Sequence, residues 1–321
     1  MPSTLANTVT RTAVITGGNS GLGFACARSL LASGDWHVVL ACRDPARAEA
    51  AVEDLRRAAP SGRVEAMALD LASLASVRAF AGDLARRLAA AELPPLRGLV
   101  CNAGVQGART FTGDGFETTF GVNHLGHFLL VNLLLPSLTA PARIAVVASG
   151  VHDPAQKSGM PAPAWNQPAA LARGELGPAG AADKPGTDSR RRYVTSKLAN
   201  VYFSYALARR LPSGVTVNAF DPGLMPGTGL AREFPRPWRW IWLHVLPPLI
   251  PLLRLLLSPN IHTVDESGGA LARLLVDPAL DGTSGKYFEG RSEIRSSEES
   301  YDQARAAELW DASAMLTQVS R

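Results

Sequence analysis

The sequence predicts an α/β fold in which helices flank both faces of a doubly wound, mostly parallel sheet. Three observations predict it. Short β-rich runs alternate with longer helical stretches along the 321 residues. Residues 143–148 form a near-continuous apolar run, as expected for a strand buried on both faces. A glycine-rich turn joins the first strand to the first helix. No internal repeat or composition shift divides the chain, so we expect residues 1–321 to form a single domain.

The elements are expected in a regular order. Apolar and β-branched runs predict strands at residues 12–16, 37–42, 64–69, 97–102, 143–149 and 215–220. Between them, helices are predicted at residues 23–32, 45–58, 74–91, 123–138 and 193–211. Two segments interrupt this alternation: an irregular insertion at residues 152–190, rich in Pro, Ala and Gly, and an apolar segment at residues 228–260.

Composition excludes several classes of protein. With 46% hydrophobic and 19% charged residues, the chain is not a disordered tail. A net charge of +4 is too dilute for nucleic-acid binding without a local basic stripe, so no nucleic-acid partner is expected. The three widely spaced cysteines form no metal-ligand pattern, so no metal site is expected. They indicate a reducing compartment, and the start of the chain lacks an export signal, so we expect a cytoplasmic protein.

The turn after the first strand is a candidate phosphate-binding site. It reads Gly17-Gly18-Asn19-Ser20-Gly21-Leu22-Gly23. Glycines permit a tight turn and let a pyrophosphate approach the backbone, and a helix N-terminus offers unpaired N–H donors. A glycine cluster alone also fits an ordinary loop, but its place between strand and helix is the context that a Rossmann-type dinucleotide site requires.

The residues that follow the second strand indicate whether NAD or NADP(H) would bind. Arg43 stands first after the strand and can pair with the 2′-phosphate of NADP(H). Asp44 follows and could chelate the ribose hydroxyls of NAD, or simply cap the helix that begins at Pro45. The order of these two residues favours NADP(H).

Tyr193 and Lys197 are candidate catalytic residues. They lie four residues apart and therefore on one face of a predicted helix. An isolated tyrosine, with a pKa near ~10, is a sluggish acid or base at neutral pH. A neighbouring ammonium stabilises the phenolate and lowers that pKa. On its own, a tyrosine and a lysine four residues apart usually mark a solvated helix face.

This pair is one of seven features that occur in one order and together resemble the short-chain dehydrogenase/reductase family over about residues 11–290. The seven are the glycine turn, Asp70-Leu71, Asn102-Ala103-Gly104, Asn123, Ser149, Tyr193/Lys197 and Pro222-Gly223.

The resemblance implies a role for each of these residues. Ser149 would hydrogen-bond the substrate oxygen, Tyr193 would exchange its proton, and Lys197 would lower the tyrosine pKa and bind the nicotinamide ribose. Asn123 would hold a water relay that reaches Lys197. The cofactor would be lined by Gly17, Gly21 and Gly23 at the pyrophosphate, Asp70 and Leu71 at the adenine, Asn102 and Gly104 at the adenosine ribose, and Pro222, Gly223 and Thr228 over the nicotinamide.

Within the family, the motifs at residues 36–44, 122–130 and 307–310 are most similar to protochlorophyllide reductases and retinol dehydrogenase-like enzymes. The insertion before Tyr193 is similar to that of protochlorophyllide reductases. Photoactive reductases of that branch carry a cysteine after the Pro-Gly of the loop and often a second one after the lysine. Leu224 and Ala199 occupy those positions here, which weighs against light-driven pigment reduction and leaves hydride transfer intact.

The apolar segment at residues 228–260 is predicted to be a helix, a bend at its prolines and a second helical piece at residues 252–257. Trp238, Ile241, Trp242, Val245, Leu246 and Leu249 form one helical stripe. His244, Arg254 and the prolines argue against a bilayer crossing. Two interpretations remain open: a lid over the substrate, or a peripheral membrane contact through residues 236–257 with Arg232, Arg236 and Arg239 as headgroup anchors.

These features predict an NADPH-dependent oxidoreductase that interconverts a carbonyl and an alcohol on a bulky hydrophobic substrate. Light-dependent reduction of a protochlorophyllide double bond is one alternative. A second alternative is a non-catalytic cofactor-binding or membrane-associated protein. Such a protein would be expected to lack part of the set formed by Asn123, Ser149, Tyr193 and Lys197, which is complete here. The sequence does not predict the oligomeric state.

Overall fold

The computed structural model describes residues 9–228 and 236–319, apart from the side chains of residues 238 and 239. Part of the predicted lid segment, including Arg232, therefore lies outside the described residues, as do the side chains of Trp238 and Arg239.

Within the described residues, eight strands form one sheet in the order β3-β2-β1-β4-β5-β6-β7-β8. β1 to β7 run parallel and β8 is antiparallel at the edge. The strands are β1 (Arg11–Thr16), β2 (Trp36–Cys42), β3 (Arg63–Ala68), β4 (Leu96–Cys101), β5 (Leu138–Val147), β6 (Val215–Asp221), β7 (Lys286–Glu289) and β8 (Ser292–Ile294). Strand order reverses between β1 and β4, the place where doubly wound sheets bind their ligands. The predicted fold class is confirmed.

Helices cover both faces of the sheet. They are α1 (Gly21–Ala32), α2 (Pro45–Ala58), α3 (Leu74–Ala89), α4 (Thr118–Phe120), α5 (Gly126–Leu134), α6 (Pro168–Ala172), α7 (Pro185–Ala208), α8 (Arg236–Trp240), α9 (Ile250–Leu256), α10 (Val264–Val276) and α11 (Gln303–Leu316). One apolar core lies between the sheet and α1, α2 and α10. A second core lies between the opposite face and α3, α5 and α7. Burial on both faces explains why the strands read as continuous apolar runs.

The predicted helix at residues 123–138 is wrong at both ends. Helical structure begins five residues earlier, at Thr118, and passes through a π-helical turn at Gly121–Leu125 before α5. It ends because Pro136, in a 3₁₀ turn, cannot donate a backbone hydrogen bond and its ring crowds the preceding turn. Leu138, predicted to be helical, already belongs to β5.

Two other boundaries differ from the prediction. The insertion at residues 152–190 is not irregular throughout, because it contains short 3₁₀ turns and α6, and its last residues are the start of α7. α7 begins at Pro185, a residue suited to the first helical position because that position needs no donor. β7, β8, α10 and α11 were not predicted individually.

The apolar segment has the predicted form of helix, bend and helix. α8 is followed by a π-helical turn at Ile241–Val245, a 3₁₀ turn at Pro247–Leu249 and α9. The predicted stripe is not a buried face, however. Of its described side chains, Trp242 is buried, Ile241, Val245 and Leu246 are half-buried, and Leu249, in the 3₁₀ turn before α9, is exposed.

Candidate active site

The predicted site residues converge at the carboxyl edge of the sheet. The glycine turn follows β1, residues 102–104 follow β4, Ser149 follows β5 and Pro222-Gly223 follows β6. These four strands are neighbours in the sheet, and β1, β4, β5 and β6 all run in the same direction. Tyr193 and Lys197 approach the same edge from α7.

The glycine turn has the shape of a phosphate cradle. Gly17 and Gly21 have left-handed backbone conformations, with φ of 64° and 54°. Ser20 precedes α1 without making a side-chain cap bond, and the first turn of α1 holds no acidic residue. The first N–H groups of α1, on Gly21, Leu22 and Gly23, are therefore left for an anion. The Gly17 N–H donates to the Ala41 carbonyl oxygen at 2.9 Å, which fixes the turn against β2.

Asn102 holds the turn from the neighbouring strand. Its Nδ2 donates to the Thr16 carbonyl oxygen at 2.8 Å, and its N–H donates to Thr16 Oγ1 at 2.9 Å, as does the N–H of Ala103. Gly104 lies next to this brace, and a Cβ there would stand 3.7 Å from Lys197 Nζ. The Asn102-Ala103-Gly104 segment thus connects the glycine turn to the lysine.

At the end of β2, Arg43 and Asp44, the two residues that could select between NADP(H) and NAD, have different surroundings. Asp44 is the N-cap of α2, and its Oδ1 accepts from the Arg47 N–H at 3.1 Å. Arg43 is exposed beside it. Farther along this edge, Asp70 Oδ1 accepts from the Ala72 N–H at 3.0 Å, and the Leu71 carbonyl lies against α5 at Gly126. Asp44 is therefore used by the helix, whereas the Arg43 side chain reaches solvent.

Lys197 is a buried cation beside a partly exposed phenol. Its Nζ lies 5.5 Å from the centroid of the Tyr193 ring and donates to the Val147 carbonyl oxygen at 3.0 Å. Burial lowers the pKa of Lys197 from its ordinary 10.5 to about 8, and the charge of Asp221 acts in the opposite direction. Ser149 is partly exposed, and its Oγ accepts only a long, 3.5 Å bond from the Val151 N–H. Its hydroxyl therefore caps the strand end weakly and can turn toward a substrate.

The Asn123 side chain is fully engaged in holding neighbouring segments. Its Oδ1 accepts from the Val105 N–H at 2.7 Å, and its Nδ2 donates to the Val105 carbonyl and to Ser196 Oγ at 3.0 and 2.9 Å. Its main-chain carbonyl, in the π-helical turn, accepts from His127 Nδ1 at 3.1 Å. A carbonyl has two lone pairs. The carbonyl rather than the side chain is therefore the group of Asn123 that can hold a relay water.

The loop after β6 is tied to the apolar segment. Gly223 has a φ of 71°, and Leu224 exchanges backbone hydrogen bonds with Asn260 and His262, at 2.8 and 2.9 Å. Thr228 donates from Oγ1 to the Met225 carbonyl, and its own carbonyl accepts from Trp242 Nε1 at 3.1 Å. This places the start of the predicted lid directly beside the loop predicted to cover a nicotinamide.

Three residues near the site were missed by the sequence reasoning. Asp221 is buried before Pro222, where the carboxyl end of a central strand was a usable signal. His152 Nδ1 donates to the Ser149 carbonyl at 2.7 Å, and its Nε2 accepts from the Ser297 N–H at 3.2 Å. His127 connects Thr16 Oγ1 to Asn123, and burial lowers its pKa to about 4, so it is neutral. Neither histidine has a spacing that distinguishes it from a core residue.

A glycine turn at a helix N-terminus, a buried lysine beside a tyrosine, and a serine at the end of β5 are the arrangement expected of a dinucleotide-dependent oxidoreductase on a doubly wound sheet. A family profile described as short chain dehydrogenase matches residues 11–160. Retinol dehydrogenase 14 of Mus musculus is 38% identical over 95% of this chain and 85% of its own length. Protochlorophyllide reductase A of Oryza sativa subsp. japonica is 37% identical over 94% and 79%. The chain belongs to the short-chain dehydrogenase/reductase family.

Solved structures agree with this assignment. An uncharacterised protein from Mycobacterium paratuberculosis has a TM-score of 0.67 and is 30% identical, over 97% of this chain and 95% of that one. An NADPH-bound short chain oxidoreductase from Pseudomonas aeruginosa PAO1 has a TM-score of 0.60 and is 25% identical, over 86% and 93%. Together with the family assignment, the NADPH-bound neighbour supports the binding of a nicotinamide cofactor.

Two features are absent from the described residues. No group of three or more His, Cys, Asp or Glu residues there is arranged to hold a metal ion. No helix in that part of the chain combines the length and apolarity that a bilayer crossing needs.

Proposed function

We propose that this chain is an NADPH-dependent oxidoreductase that interconverts a carbonyl and an alcohol on a bulky hydrophobic substrate, with Tyr193 as the proton donor. The observation that carries the proposal is the pairing of Tyr193 with Lys197. The lysine is 3% exposed, and its ammonium lies 5.5 Å from the ring centroid. A buried cation acts strongly on a neighbouring phenol because little water screens it.

Each residue has a defined task in this reaction. The bound cofactor supplies the hydride. Ser149 Oγ donates a hydrogen bond to the substrate oxygen, and the Tyr193 hydroxyl gives that oxygen its proton. Lys197 stabilises the phenolate that remains, and the Asn123 carbonyl holds the water through which the proton is replaced.

The glycine turn fits the cofactor's pyrophosphate. An added Cβ at Gly21 would meet no atom within 4 Å, so the turn is open on the side that a phosphate needs. Gly17 and Gly23 allow the close approach of β1 and α1, and Asn19, Ser20 and Leu22 complete the turn. By the family resemblance, Asp70 and Leu71 would border the adenine, Asn102, Ala103 and Gly104 would border the adenosine ribose, and Pro222, Gly223 and Thr228 would border the nicotinamide.

The preference for NADP(H) over NAD rests on Arg43. Its guanidinium is exposed at the end of β2, where it can form charge-assisted hydrogen bonds to a 2′-phosphate. Asp44, the residue that could chelate the ribose hydroxyls of NAD, is the cap of α2.

A bulky hydrophobic substrate is supported by the apolar segment beside the nicotinamide loop and by the names of the relatives. Leu224 is 43% exposed in that loop. Reduction of a protochlorophyllide double bond remains the second candidate, because relatives named for that reaction match most of the chain. A screen of hydrophobic carbonyls and protochlorophyllide, followed by NADPH absorbance in the dark and under light, separates the two.

Tyr193→Phe tests the chemistry directly. We expect turnover to be abolished and NADPH binding to change less than about threefold, because the hydroxyl is needed for proton transfer and the ring remains. Tyr205→Phe is the matched control, since it removes a phenol from the same helix that bonds Ser296 instead. Undiminished turnover in the Tyr193 variant would contradict the mechanism. NADPH binding without turnover on the whole panel would favour a non-catalytic cofactor-binding protein.

We further propose that α9 contacts a membrane surface. The leucine patch comprises exposed side chains on α9 and directly beside its two ends, at Leu249, Leu252, Leu255, Leu256 and Leu257. Of the arginines between residues 236 and 257, Arg236 is exposed near the start of the segment, whereas Arg254 on α9 forms an ion pair with Glu266. Exposed leucines next to positive charge are the combination that binds the interface of an anionic bilayer. The patch adjoins the nicotinamide loop through Trp242, so a lipophilic substrate could enter from the bilayer.

A further inference from the structure

His152 is a buried histidine that the proposed reaction does not use. It ends the 3₁₀ turn that follows β5, and its side chain is fully buried. Its Nδ1 donates to the Ser149 carbonyl oxygen at 2.7 Å, and its Nε2 accepts from the Ser297 N–H at 3.2 Å. The ring packs against Tyr287 on β7, with the two ring centroids 5.3 Å apart. His152 therefore joins the end of β5 to a segment that lies 145 residues later in the chain.

The two hydrogen-bond partners of His152 determine which nitrogen carries the proton. A carbonyl oxygen can only accept a hydrogen bond, and a backbone N–H can only donate one. Nδ1 is therefore protonated and Nε2 is not, which is one of the two neutral forms of the ring. Burial lowers the pKa of His152 and so favours a neutral ring as well. The Ser297 N–H thus keeps the proton on the nitrogen that faces Ser149.

The backbone of Ser149 lies beyond the sheet, where His152 holds it. β5 ends two residues before Ser149, and the Ala148 N–H donates to the Phe220 carbonyl oxygen at 2.8 Å. The Ser149 carbonyl accepts from both the N–H and the Nδ1 of His152, at 3.2 and 2.7 Å. Fixing this carbonyl fixes the direction of the Cα–Cβ bond of Ser149, so that only rotation about that bond is left to its hydroxyl.

The segment that contains Ser297 is anchored on α7. Ser297 is buried, and two residues later the Glu299 carbonyl accepts from the Tyr202 hydroxyl at 2.9 Å. Tyr202 is fully buried on α7, the helix that carries Tyr193. The N–H that determines the form of His152 is therefore held in place by the same helix as the proposed proton donor.

We propose that His152 is a positioning residue: its Nδ1–H fixes the backbone of Ser149, so that the serine hydroxyl reaches the same substrate oxygen as the Tyr193 hydroxyl. This inference rests on the proposed function, because it takes Ser149 to be the residue that bonds the substrate oxygen. Two donors can serve one oxygen only when the distance between them is right, and a misplacement of about 1 Å can cost about a hundredfold in rate.

Two substitutions separate the two hydrogen bonds of His152. In His152→Asn, the amide nitrogen is as far along the side chain as Nδ1 and can donate to the Ser149 carbonyl, but the bond from Ser297 is lost. In His152→Gln, the amide oxygen is as far along as Nε2 and can accept from the Ser297 N–H, but the side-chain bond to Ser149 is lost. His152→Asn leaves a buried N–H without its partner, whereas in His152→Gln the Ser149 carbonyl keeps its backbone bond. We therefore expect the asparagine variant to have the lower Tm.

Amide hydrogen exchange tests the positioning without any substrate. We expect the amides of residues 151–153 to exchange about tenfold faster or more in His152→Gln than in the wild type, and less than about threefold faster in His152→Asn. The Ser297 amide should show the opposite order, because it loses its acceptor only in His152→Asn. Equal exchange of residues 151–153 in all three proteins would overturn the proposal.

The kinetic test uses the hydrophobic carbonyl that the wild type reduces fastest with NADPH. We expect kcat to fall about tenfold or more in His152→Gln and less than about threefold in His152→Asn, although the asparagine variant is the less stable one. His37→Asn is the stability control, because His37 bonds Glu65 at 2.9 Å near the amino end of β2. This control should lower Tm and leave kcat unchanged.

A kcat that follows Tm, with His152→Asn the slower variant, would overturn the proposal, because a merely structural histidine predicts that order. If His152→Asn does not fold, ¹⁵N NMR of the six histidines in the wild type decides, and His152→Gln identifies the signals of His152. The proposal requires the Nδ1–H form at pH 7, and a charged ring or the Nε2–H form would refute it.

The proposed function and the role of His152 can fail separately. A wild type that reduces no carbonyl while binding NADPH would refute the proposed reaction. Amide exchange and the protonation of the ring would then still show whether His152 fixes the backbone of Ser149, because neither measurement needs turnover.

Discussion

Gly23→Ala tests whether the glycine turn is the cofactor site. At Gly23, α1 approaches the turn before it most closely: an added Cβ would stand 2.6 Å from Asn102 Nδ2 and 2.7 Å from the Gly17 carbonyl oxygen. Favourable contacts between such atoms lie at about 3.5–4.0 Å. The start of α1 must therefore move away from Asn102 and Gly17 by about 1 Å, and its N–H donors move with it.

The cost of this change follows from the same contacts. Overpacking of a tight site costs about 1–3 kcal/mol of unfolding free energy. Displacing Asn102 weakens its hydrogen bond to the Thr16 carbonyl, worth about 1 kcal/mol. Alanine in place of glycine in a helix returns up to about 1 kcal/mol. The net loss expected for Gly23→Ala is about 1–3 kcal/mol.

Thermal unfolding with and without NADPH measures both effects. We expect Gly23→Ala to lower Tm and to lose most of the NADPH-induced rise in Tm. Gly82→Ala is the stability control: Gly82 is exposed on α3, and a Cβ there meets no atom within 4 Å, so this variant should gain up to about 1 kcal/mol. Gly21→Ala has the same free space but a φ of 54°, which costs about 1 kcal/mol. A full NADPH-induced rise in Gly23→Ala would refute the assignment of the turn.

Three further results are expected. Arg43→Gln should weaken NADPH binding tenfold or more and leave NADH binding unchanged, because a hydrogen bond to a charged group is worth about 1.5–3 kcal/mol; equal loss for both cofactors in a binding titration would contradict the 2′-phosphate contact. Lys197 has its pKa lowered to about 8 by burial, so above that pH the unfolded chain binds more protons and this group makes stability rise with pH. Lys197→Met should flatten this rise in the unfolding free energy measured in urea between about pH 8 and pH 10; a variant that keeps the wild-type pH slope would show that the buried ammonium is not its source. Leu255→Ser with Leu256→Ser should reduce flotation with anionic phospholipid vesicles, whereas Met315→Ser, at an exposed site on α11, should not; equal flotation of all three proteins would argue against the leucine patch.

The sequence predicted the sheet well because hydrophobic periodicity is a local signal. The first six strands were expected within a few residues of their observed ends, apart from the start of β5. That start was missed because Leu138 continues an apolar helical pattern, and only the geometry of Pro136 ends the helix before it. α10 carried a readable signal that was not used: Thr263 and Glu266 form a capping box at its first turn.

The sequence predicted which residues lie together at the carboxyl edge of the sheet, but it did not predict how deeply each of them is buried. Spacing places Tyr193 and Lys197 on one helical face, but a solvated face has the same spacing. The difference lies in burial, which depends on α7 packing against β5 and β6 and cannot be seen in a window of sequence. The assignment of roles to Ser149 and Asn123 remains a prediction, and the structure leaves the Asn123 carbonyl as the group that is available to a relay water.

Burial also explains why residues without a motif gather around Lys197. An ammonium removed from water tends to lose its proton, and a lysine that is neutral at pH 7 would stabilise a phenolate poorly. The fold must therefore supply acceptors from other segments, and the Val147 carbonyl at the end of β5 is one of them. Such supporting groups follow from the energetic demand of the buried cation. A search for a catalytic lysine in this fold should for that reason include the strand end beside it, where a main-chain carbonyl accepts from the ammonium without being part of any catalytic spacing.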